Sequence, residues 1–214
     1  MCERKNILLV GGGDFTKKVI RLLGQFDEYS IIGYTDIEDK GPLFDVEYLG
    51  KDEIAQQLKE QHTDLCVIIC IVGNLNLLKK KNDLIDYYKR EGFNFPTIIS
   101  KKAIIDNSAT IGEGVVIFDN AYVDFNTEIS EYSVINLGAM VCHDVKIGCN
   151  VVVSPRTVIA GGTTVSSNVF IGTNSTINPY LKISSDIVIG SGSMINKSLD
   201  ERGTYVGNPL KKIK

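Results

Sequence analysis

Every sixth residue from Ile105 to Ile195 is isoleucine or valine, without a single interruption. A period of six fits neither the 3.6-residue period of an α-helix nor the two-residue period of an isolated strand. It fits a chain wound into a coil with three flat sides, in which each side takes six residues and each turn takes eighteen. The pattern therefore predicts a parallel β-helix of hexapeptide repeats, in which every turn packs on the next. The sixteen positions are Ile105, Ile111, Ile117, Val123, Ile129, Ile135, Val141, Ile147, Val153, Ile159, Val165, Ile171, Ile177, Ile183, Ile189 and Ile195.

A second series of residues, two places before each of these positions, is predicted to face the same interior. Its members run from Ala103 to Ser193 and are mostly small or β-branched, as a narrow three-sided interior requires. Glycine directly follows the aliphatic residue at four positions, where we expect a corner to use its tolerance of positive φ: Gly112, Gly148, Gly172 and Gly190. The alternative, a β-sandwich of short strands, gives no reason to keep one register over so long a segment.

The first hundred residues alternate between strand and helix patterns. Three apolar strands alternate with three amphipathic helices, which is typical of a small parallel sheet covered on both sides. We therefore predict an α/β domain with a small Rossmann-like parallel sheet over residues 1–97 and a β-helix with a C-terminal tail over residues 98–214. The predicted strands are Lys5–Val10, Ser30–Tyr34 and Leu65–Val72, and the predicted helices are Asp14–Gln25, Asp52–Gln61 and Asn76–Glu91.

A glycine-rich loop, Gly11, Gly12 and Gly13, lies between the first strand and the first helix. Glycines let a phosphate approach the backbone, and the start of the helix offers free N–H groups. Asp36, at the end of the next strand, is placed to accept a hydrogen bond from a ribose or a base. Thr16 stands where a dinucleotide motif has its third glycine. A mononucleotide or nucleotide-sugar site, a tight turn without a ligand, and an NAD site all remain open at this point.

Composition narrows the range of partners. A net charge of −3 and a pI near 5.5 do not suggest a nucleic-acid partner. The sequence shows neither a charged-then-apolar leader at its start nor an apolar stretch of eighteen residues, so we expect a soluble cytoplasmic protein. Five cysteines without a C-x-x-C pair favour free thiols in a reducing compartment.

One of the two histidines has a suggestive position in the coil. His143 lies two places after the inward-facing Val141 and is predicted to point outward, with Asp144 next to it. Gly161 and Gly162 follow one eighteen-residue turn later and are predicted to lie over the same spot. An imidazole base, a carboxylate and a backbone N–H donor would then share one patch. The alternative is a surface histidine beside an aspartate. A zinc site of the γ-carbonic anhydrase type needs three histidines and is excluded.

The chain resembles the hexapeptide-repeat sugar acetyltransferases that carry an N-terminal nucleotide-binding domain. These include the bacillosamine and perosamine pathway N-acetyltransferases and the sialic acid O-acetyltransferases. The resemblance covers nearly the whole length. It depends on residues 134–136, 141–144, 147–148, 159–162 and 205–209, and more loosely on residues 9–13, 32–36 and 72–74.

The resemblance implies that residues 1–97 are a nucleotide-sugar-binding domain and that residues 98–214 are a left-handed β-helix that binds acetyl-CoA and is catalytic. It also implies a role for each matching residue. His143 is expected to be the general base, Asp144 to hold it, Asn136 to lie in the active site, and the Gly161 N–H to bind the thioester carbonyl. It further implies acetyl-CoA as co-substrate, no metal, and a homotrimer with active sites between subunits. The nucleotide of the sugar is expected at Gly11, Gly12, Gly13, Asp36, Gly73 and Asn74. Acetyl-CoA is expected at Gly161, Gly162, Ser154, Thr173 and Pro209.

The function implied is acetylation of the amino group of a nucleotide-linked 4-amino-4,6-dideoxy sugar for surface glycan synthesis. Val152 stands where the N-acetyltransferases often carry a second histidine, so a sialic acid O-acetyltransferase is the main alternative. Cys142 replaces a glutamate common before the base, and a thiol role for it is a rival mechanism. A sugar-nucleotide sensor without catalysis is a further alternative.

Overall fold

The structure, a computed structural model, describes residues 4–62, 64–208 and 211–213. The chain divides into two compact units. The first contains the described residues up to Val72 together with Lys79–Pro96, and the second contains Gly73–Leu78 and the described residues from Thr97 onward. None of the described helices is both long and apolar enough to cross a membrane.

The described part of the first unit is built on a parallel sheet with the strand order β3-β2-β1-β4. Because β1 is central and its residues 7–10 are buried, the strand is apolar on both faces, as predicted. All six predicted elements are present, and β3 was missed because three half-buried residues leave no periodic signal. The strands are β1 (Lys5–Val10), β2 (Tyr29–Thr35), β3 (Tyr48–Gly50) and β4 (Cys66–Ile69). The helices are α1 (Asp14–Leu23), α2 (Ala55–Gln61, after a 3₁₀ turn at Asp52–Ile54) and α3 (Leu75–Arg90).

The second unit is the predicted β-helix, with three faces that follow one another along the chain. As far as Ile195, the strands of each face pair in parallel at an offset of eighteen residues, as Val141 does with Ile159. At the end of the first face, Ile187 pairs in parallel with Gly203, and Lys211–Lys212 pairs antiparallel. The first face consists of Ile98–Ile99, Val116–Ile117, Val134–Ile135, Val152–Val153, Phe170–Ile171, Ile187–Ile189, Gly203–Val206 and Lys211–Lys212. The second face consists of Ile104–Ile105, Tyr122–Val123, Met140–Val141, Val158–Ile159, Thr176–Ile177 and Met194–Ile195. The third face consists of Thr110–Ile111, Glu128–Ile129, Lys146–Ile147, Thr164–Val165 and Lys182–Ile183.

The sixth-residue series forms the core of this coil. Its members from Ile117 to Ile195 are buried, and the first two, Ile105 and Ile111, are partly buried. The second series is buried with it, except that Ala103, Ala109 and Leu181 are partly buried. Its hydroxyl groups donate hydrogen bonds to backbone carbonyls, as Thr127 does to Cys142 at 2.8 Å. Buried hydroxyls therefore find acceptors inside the prism, which explains why threonine and serine are tolerated there.

The corners differ from the prediction in one respect. Positive φ recurs at every sixth residue from Gly114 to Gly192, three places after each inward aliphatic residue. Gly112, Gly148, Gly172 and Gly190 do not have positive φ, so that explanation of them was wrong. They are glycines because the next turn lies too close for a side chain. A β-carbon on Gly148 would stand 2.7 Å from the Ser167 nitrogen, and one on Gly172 would stand 2.5 Å from the Ser191 nitrogen.

Candidate active site

His143 lies at the corner between the second and third faces and points away from the core. Its side chain is 42% exposed, as the position after Val141 predicts. Asp144, with φ of 57°, turns the chain so that its carboxylate lies beside the imidazole. The His143 Nδ1 and Asp144 Oδ2 atoms are 2.9 Å apart. When Nδ1 donates to the carboxylate, Nε2 carries the lone pair and can accept a proton.

The carboxylate of Asp144 is held in its charged form. The hydrogen bond from His143, followed by one from the Asn126 amide, keeps the pKa of the Asp144 carboxyl below its usual range. An ionised carboxylate stabilises an imidazolium. The pair therefore suits a base that becomes positively charged during the reaction.

Gly161 lies one turn above His143, as predicted, and leaves room for the ring. A β-carbon on Gly161 would stand 2.6 Å from both Cε1 and Nε2 of His143. The Gly162 N–H donates to the His143 carbonyl at 3.0 Å. Within the part of the chain that the structure describes, no backbone acceptor is recorded for the Gly161 N–H, so this N–H is free to bind a ligand oxygen.

Phe125 and Asn126 belong to the site but were not among the predicted residues. The Phe125 ring stacks on the imidazole, and the Asn126 amide reaches the Asp144 carboxylate. The signal that could have found them is the eighteen-residue turn, which places 125 under 143 and 126 under 144.

Asn136 lies at the other corner of the second face, before Met140–Val141. It is buried, and its Oδ1 accepts the Leu137 N–H at 3.0 Å. The flat side of the prism separates it from His143, so one chain does not bring the two together. Among the residues predicted to contact acetyl-CoA, Ser154 is buried and Thr173 is exposed. Pro209 lies outside the described residues.

The glycine-rich loop and Asp36 meet at the carboxyl edge of the sheet in the first unit. The Gly12 N–H donates to Asp36 Oδ2 at 2.6 Å. A side chain on Gly12 would strike the Tyr34 ring, which lies 2.7 Å from the β-carbon position. Gly13 directly precedes α1, and a β-carbon there would meet no atom within 4 Å. The first N–H groups of α1 therefore border an open space beside an acidic group.

Gly73 and Asn74, predicted to contact the nucleotide, have a local structural role. Gly73 has φ of 146°, which favours glycine. Asn74 Oδ1 accepts the N–H groups of Asn76 and Leu77 at 3.1 and 3.2 Å, which is a helix N-cap. This cap starts α3.

Cys142 is half-buried between Val141 and His143. Burial, followed by the charge of Asp124, raises the pKa of its thiol, which lowers the thiolate fraction at neutral pH. The described residues contain no cluster of three His, Cys, Asp or Glu side chains suited to a metal ion.

Comparisons with known proteins agree with this architecture. Residues 6–81 match the family described as PglD N-terminal domain. No curated protein sequence matches the chain. The fold is similar to that of the acetyltransferase domain of PglB from Neisseria gonorrhoeae FA1090, with a TM-score of 0.90, 23% identity, and coverage of 98% of this chain and 100% of that chain.

Two structures from Caulobacter crescentus are also similar over the whole length. PerB in complex with CoA and GDP-perosamine has a TM-score of 0.89 and 25% identity, with coverage of 98% of this chain and 97% of that chain. A mutant of GDP-perosamine N-acetyltransferase with the same two ligands has a TM-score of 0.89 and 24% identity, with coverage of 98% and 97%.

These comparisons confirm the resemblance to the sugar acetyltransferases that the sequence predicts. The chain has the fold of an acetyltransferase, an N-terminal parallel α/β unit followed by a left-handed β-helix.

Proposed function

We propose that the chain transfers the acetyl group of acetyl-CoA to the amine of a nucleotide-linked amino-deoxysugar of the 4-amino-4,6-dideoxy type. The observation that carries this proposal is the arrangement at His143, with Nδ1 beside the Asp144 carboxylate and Nε2 beside a glycine that leaves an open slot. PerB, which is 25% identical across nearly the whole chain, holds CoA and GDP-perosamine in its structure.

The reaction follows from that arrangement. The sugar amine attacks the thioester carbonyl carbon, Nε2 of His143 takes the proton from the amine, and Asp144 stabilises the imidazolium. The carbonyl oxygen gains negative charge near the Gly161 N–H. The C–S bond then breaks, and the imidazolium gives its proton to the departing sulfur, which releases the CoA thiol and restores the neutral base. A positioned general base typically contributes roughly 10²- to 10⁴-fold to the rate, and one oxyanion donor roughly 10²- to 10³-fold.

The first unit is proposed to hold the nucleotide of the sugar donor. The start of α1 after Gly13 offers N–H groups and the positive end of the helix dipole to a phosphate. Asp36 Oδ2 accepts from the Gly12 N–H, and its other oxygen, Oδ1, has a single long contact at 3.4 Å to the Glu38 N–H. Oδ1 therefore has capacity to accept from a sugar hydroxyl or a base.

A homotrimer is proposed because the second face is apolar on its outside. Ile104, Met140 and Met194 are 63%, 44% and 42% exposed there. The outside of the third face is charged instead and contains the Lys146–Glu128 ion pair. Apolar side chains aligned on one flat side favour contact with another copy. Asn136 and His143 flank this face, so a second copy packed against it would complete the site.

The alternative acceptor is a hydroxyl group, as in a sialic acid O-acetyltransferase. Val152, where a second histidine is common in the N-acetyltransferases, is 1% exposed and pairs within the first face. This position therefore serves packing, which leaves His143 as the base for either acceptor.

The test is release of free thiol from acetyl-CoA, measured with UDP-, dTDP- and GDP-linked 4-amino-4,6-dideoxy sugars and with free and CMP-linked sialic acid. We expect turnover with an amino sugar and loss of most of it in His143→Ala. His62→Ala, which removes the other histidine of the chain, is the matched control and is expected to retain activity. Undiminished turnover in His143→Ala would refute the assignment, and turnover with sialic acid alone would favour O-acetylation.

A further inference from the structure

Phe125 and Asn126 lie directly under His143 and Asp144, one turn earlier in the coil. We infer that these two residues are positioning residues, which fix the ring orientation and the proton location of the base. This inference rests on the proposed function of His143.

The Phe125 ring supports the imidazole from one side. The two ring centroids are 5.1 Å apart and the planes differ by 10°, so the rings are stacked. Phe125 is nevertheless 45% exposed. The other side of the imidazole faces Gly161, where no side chain blocks it. The imidazole therefore rests on an aromatic surface while its Nε2 edge stays accessible to a substrate.

Asn126 supports the carboxylate in a similar way. Its Nδ2 donates to Asp144 Oδ1 at 3.3 Å, while Asp144 Oδ2 faces the His143 Nδ1. The Asn126 N–H in turn donates to the Ser108 hydroxyl at 2.9 Å. A line of contacts thus runs through three turns of the coil, from Ser108 to Asn126, Asp144 and His143.

Other contacts at this corner belong to the fold alone. The Asp144 N–H donates to the Phe125 carbonyl at 3.0 Å, and the equivalent bond joins Gly162 to His143 one turn above. Such backbone bonds form whatever the side chains are. The ring stack and the amide–carboxylate bond, in contrast, depend on the identities of residues 125 and 126, so substitution can remove them and leave the coil intact.

The consequence is a defined tautomer. A free histidine in water favours the proton on Nε2, which would leave no lone pair facing the slot. An Asp144 carboxylate held by Asn126 accepts from Nδ1–H, and a ring held flat on Phe125 keeps Nδ1 directed at that carboxylate. Phe125 and Asn126 therefore keep Nε2 of His143 unprotonated and able to accept a proton.

The test is ¹⁵N NMR of ring-labelled histidine, which distinguishes the two tautomers without substrate. Because the chain has two histidines, a His62→Gln background leaves the signal of His143 alone. The variants are Phe125→Ala, Phe125→Tyr and Asn126→Gly. Glycine is chosen because Asn126 has φ of 54°, which glycine adopts freely. Asn174→Gly, at another corner with φ of 57°, is the matched control.

We expect the Nδ1–H tautomer in the parent protein, in Phe125→Tyr and in Asn174→Gly. A mixture with the Nε2–H tautomer is expected in Phe125→Ala and Asn126→Gly, with kcat lowered roughly 3- to 10-fold and KM unchanged. An Nε2–H tautomer in the parent, or the same spectrum in all variants, overturns the inference. The spectrum does not depend on turnover, so an inactive protein with the expected tautomers would count against the proposed function only.

Discussion

The imidazole of His143 occupies the space that a side chain on Gly161 would need. The β-carbon position on Gly161 lies 2.6 Å from two ring atoms of His143. Gly161 does not have positive φ, so its backbone would accept alanine. Glycine is required at this position because of the ring one turn below, and substitution of Gly161 or His143 can test this contact.

Gly161→Ala is expected to displace the imidazole and to lower kcat/KM by about 10²-fold, because displacement of a catalytic group by about 1 Å has an effect of that size. The extra methyl group is also expected to lower the free energy of unfolding by roughly 1–3 kcal/mol. Turnover and urea unfolding measure the two effects.

The control for Gly161→Ala is the same substitution made in a His143→Ala background. Without the imidazole, the added methyl group has room, so Gly161→Ala should then change the free energy of unfolding little. Gly24→Ala, where the new β-carbon would have only ordinary contacts at 3.5 Å or more, should behave like the parent. If Gly161→Ala lowers the free energy of unfolding equally in the parent and in His143→Ala, the placement of Gly161 over His143 is contradicted.

Mixed oligomers test whether the site is shared between copies. Residues 137–142 separate Asn136 from His143, and they form one corner and one flat face of the coil, so the two side chains lie at opposite ends of that face. Mixing His143→Ala with Asn136→Ala subunits should therefore restore activity, up to about one quarter of the parent value for random pairing at each interface. The measurement is thiol release after joint refolding or co-expression with two tags.

The comparison is with each variant alone, which should be impaired. No recovery in mixed oligomers of proven composition would mean that Asn136 and His143 act from the same chain, or that Asn136 has no role in turnover.

Cys142→Ser is expected to leave the rate of acetyl transfer unchanged. Burial raises the pKa of the Cys142 thiol, so its reactive thiolate is scarce at neutral pH and increases only as the pH rises past the ordinary thiol range. Turnover from pH 6 to pH 9 checks this. A large loss in Cys142→Ser, with a trapped acetyl-enzyme in the parent, would point to the thiol mechanism.

The sequence predicted the coil well because its interior repeats. An inward aliphatic residue every six places fixes the register, and the register places Gly161 over His143. Two short strands outside that repeat were not predicted. β3 is too short for a pattern, and the antiparallel pairing of Lys211–Lys212 with Tyr205–Val206 departs from the parallel repeat. In the sequence, Gly148 resembles a glycine required by a corner. Only the position of the next turn shows that residue 148 is glycine because a side chain would clash there.

Lys81 provides a prediction about stability and pH. It is 3% exposed, and burial lowers the pKa of its ammonium group to about 8. An unfolded lysine has a pKa of about 10.4. Between these values the unfolded chain binds more protons than the native one, so this group adds stability as the pH rises from 8 to 10. Below pH 8 the lysine is protonated in both the native and the unfolded state. Burial of its charge therefore lowers the free energy of unfolding by an amount that does not change with pH.

Lys81→Met is therefore expected to raise the free energy of unfolding at pH 7 by up to about 3 kcal/mol, and the gain should shrink as the pH approaches 10. Urea unfolding of both proteins at pH 7, 8, 9 and 10 measures the difference, which removes the contributions of the other titrating groups. Lys80→Met, an exposed lysine of the same helix, is the matched control and should give a small difference that does not vary with pH. If the difference in the free energy of unfolding for Lys81→Met also does not vary with pH, the ammonium group of native Lys81 titrates like a solvated one.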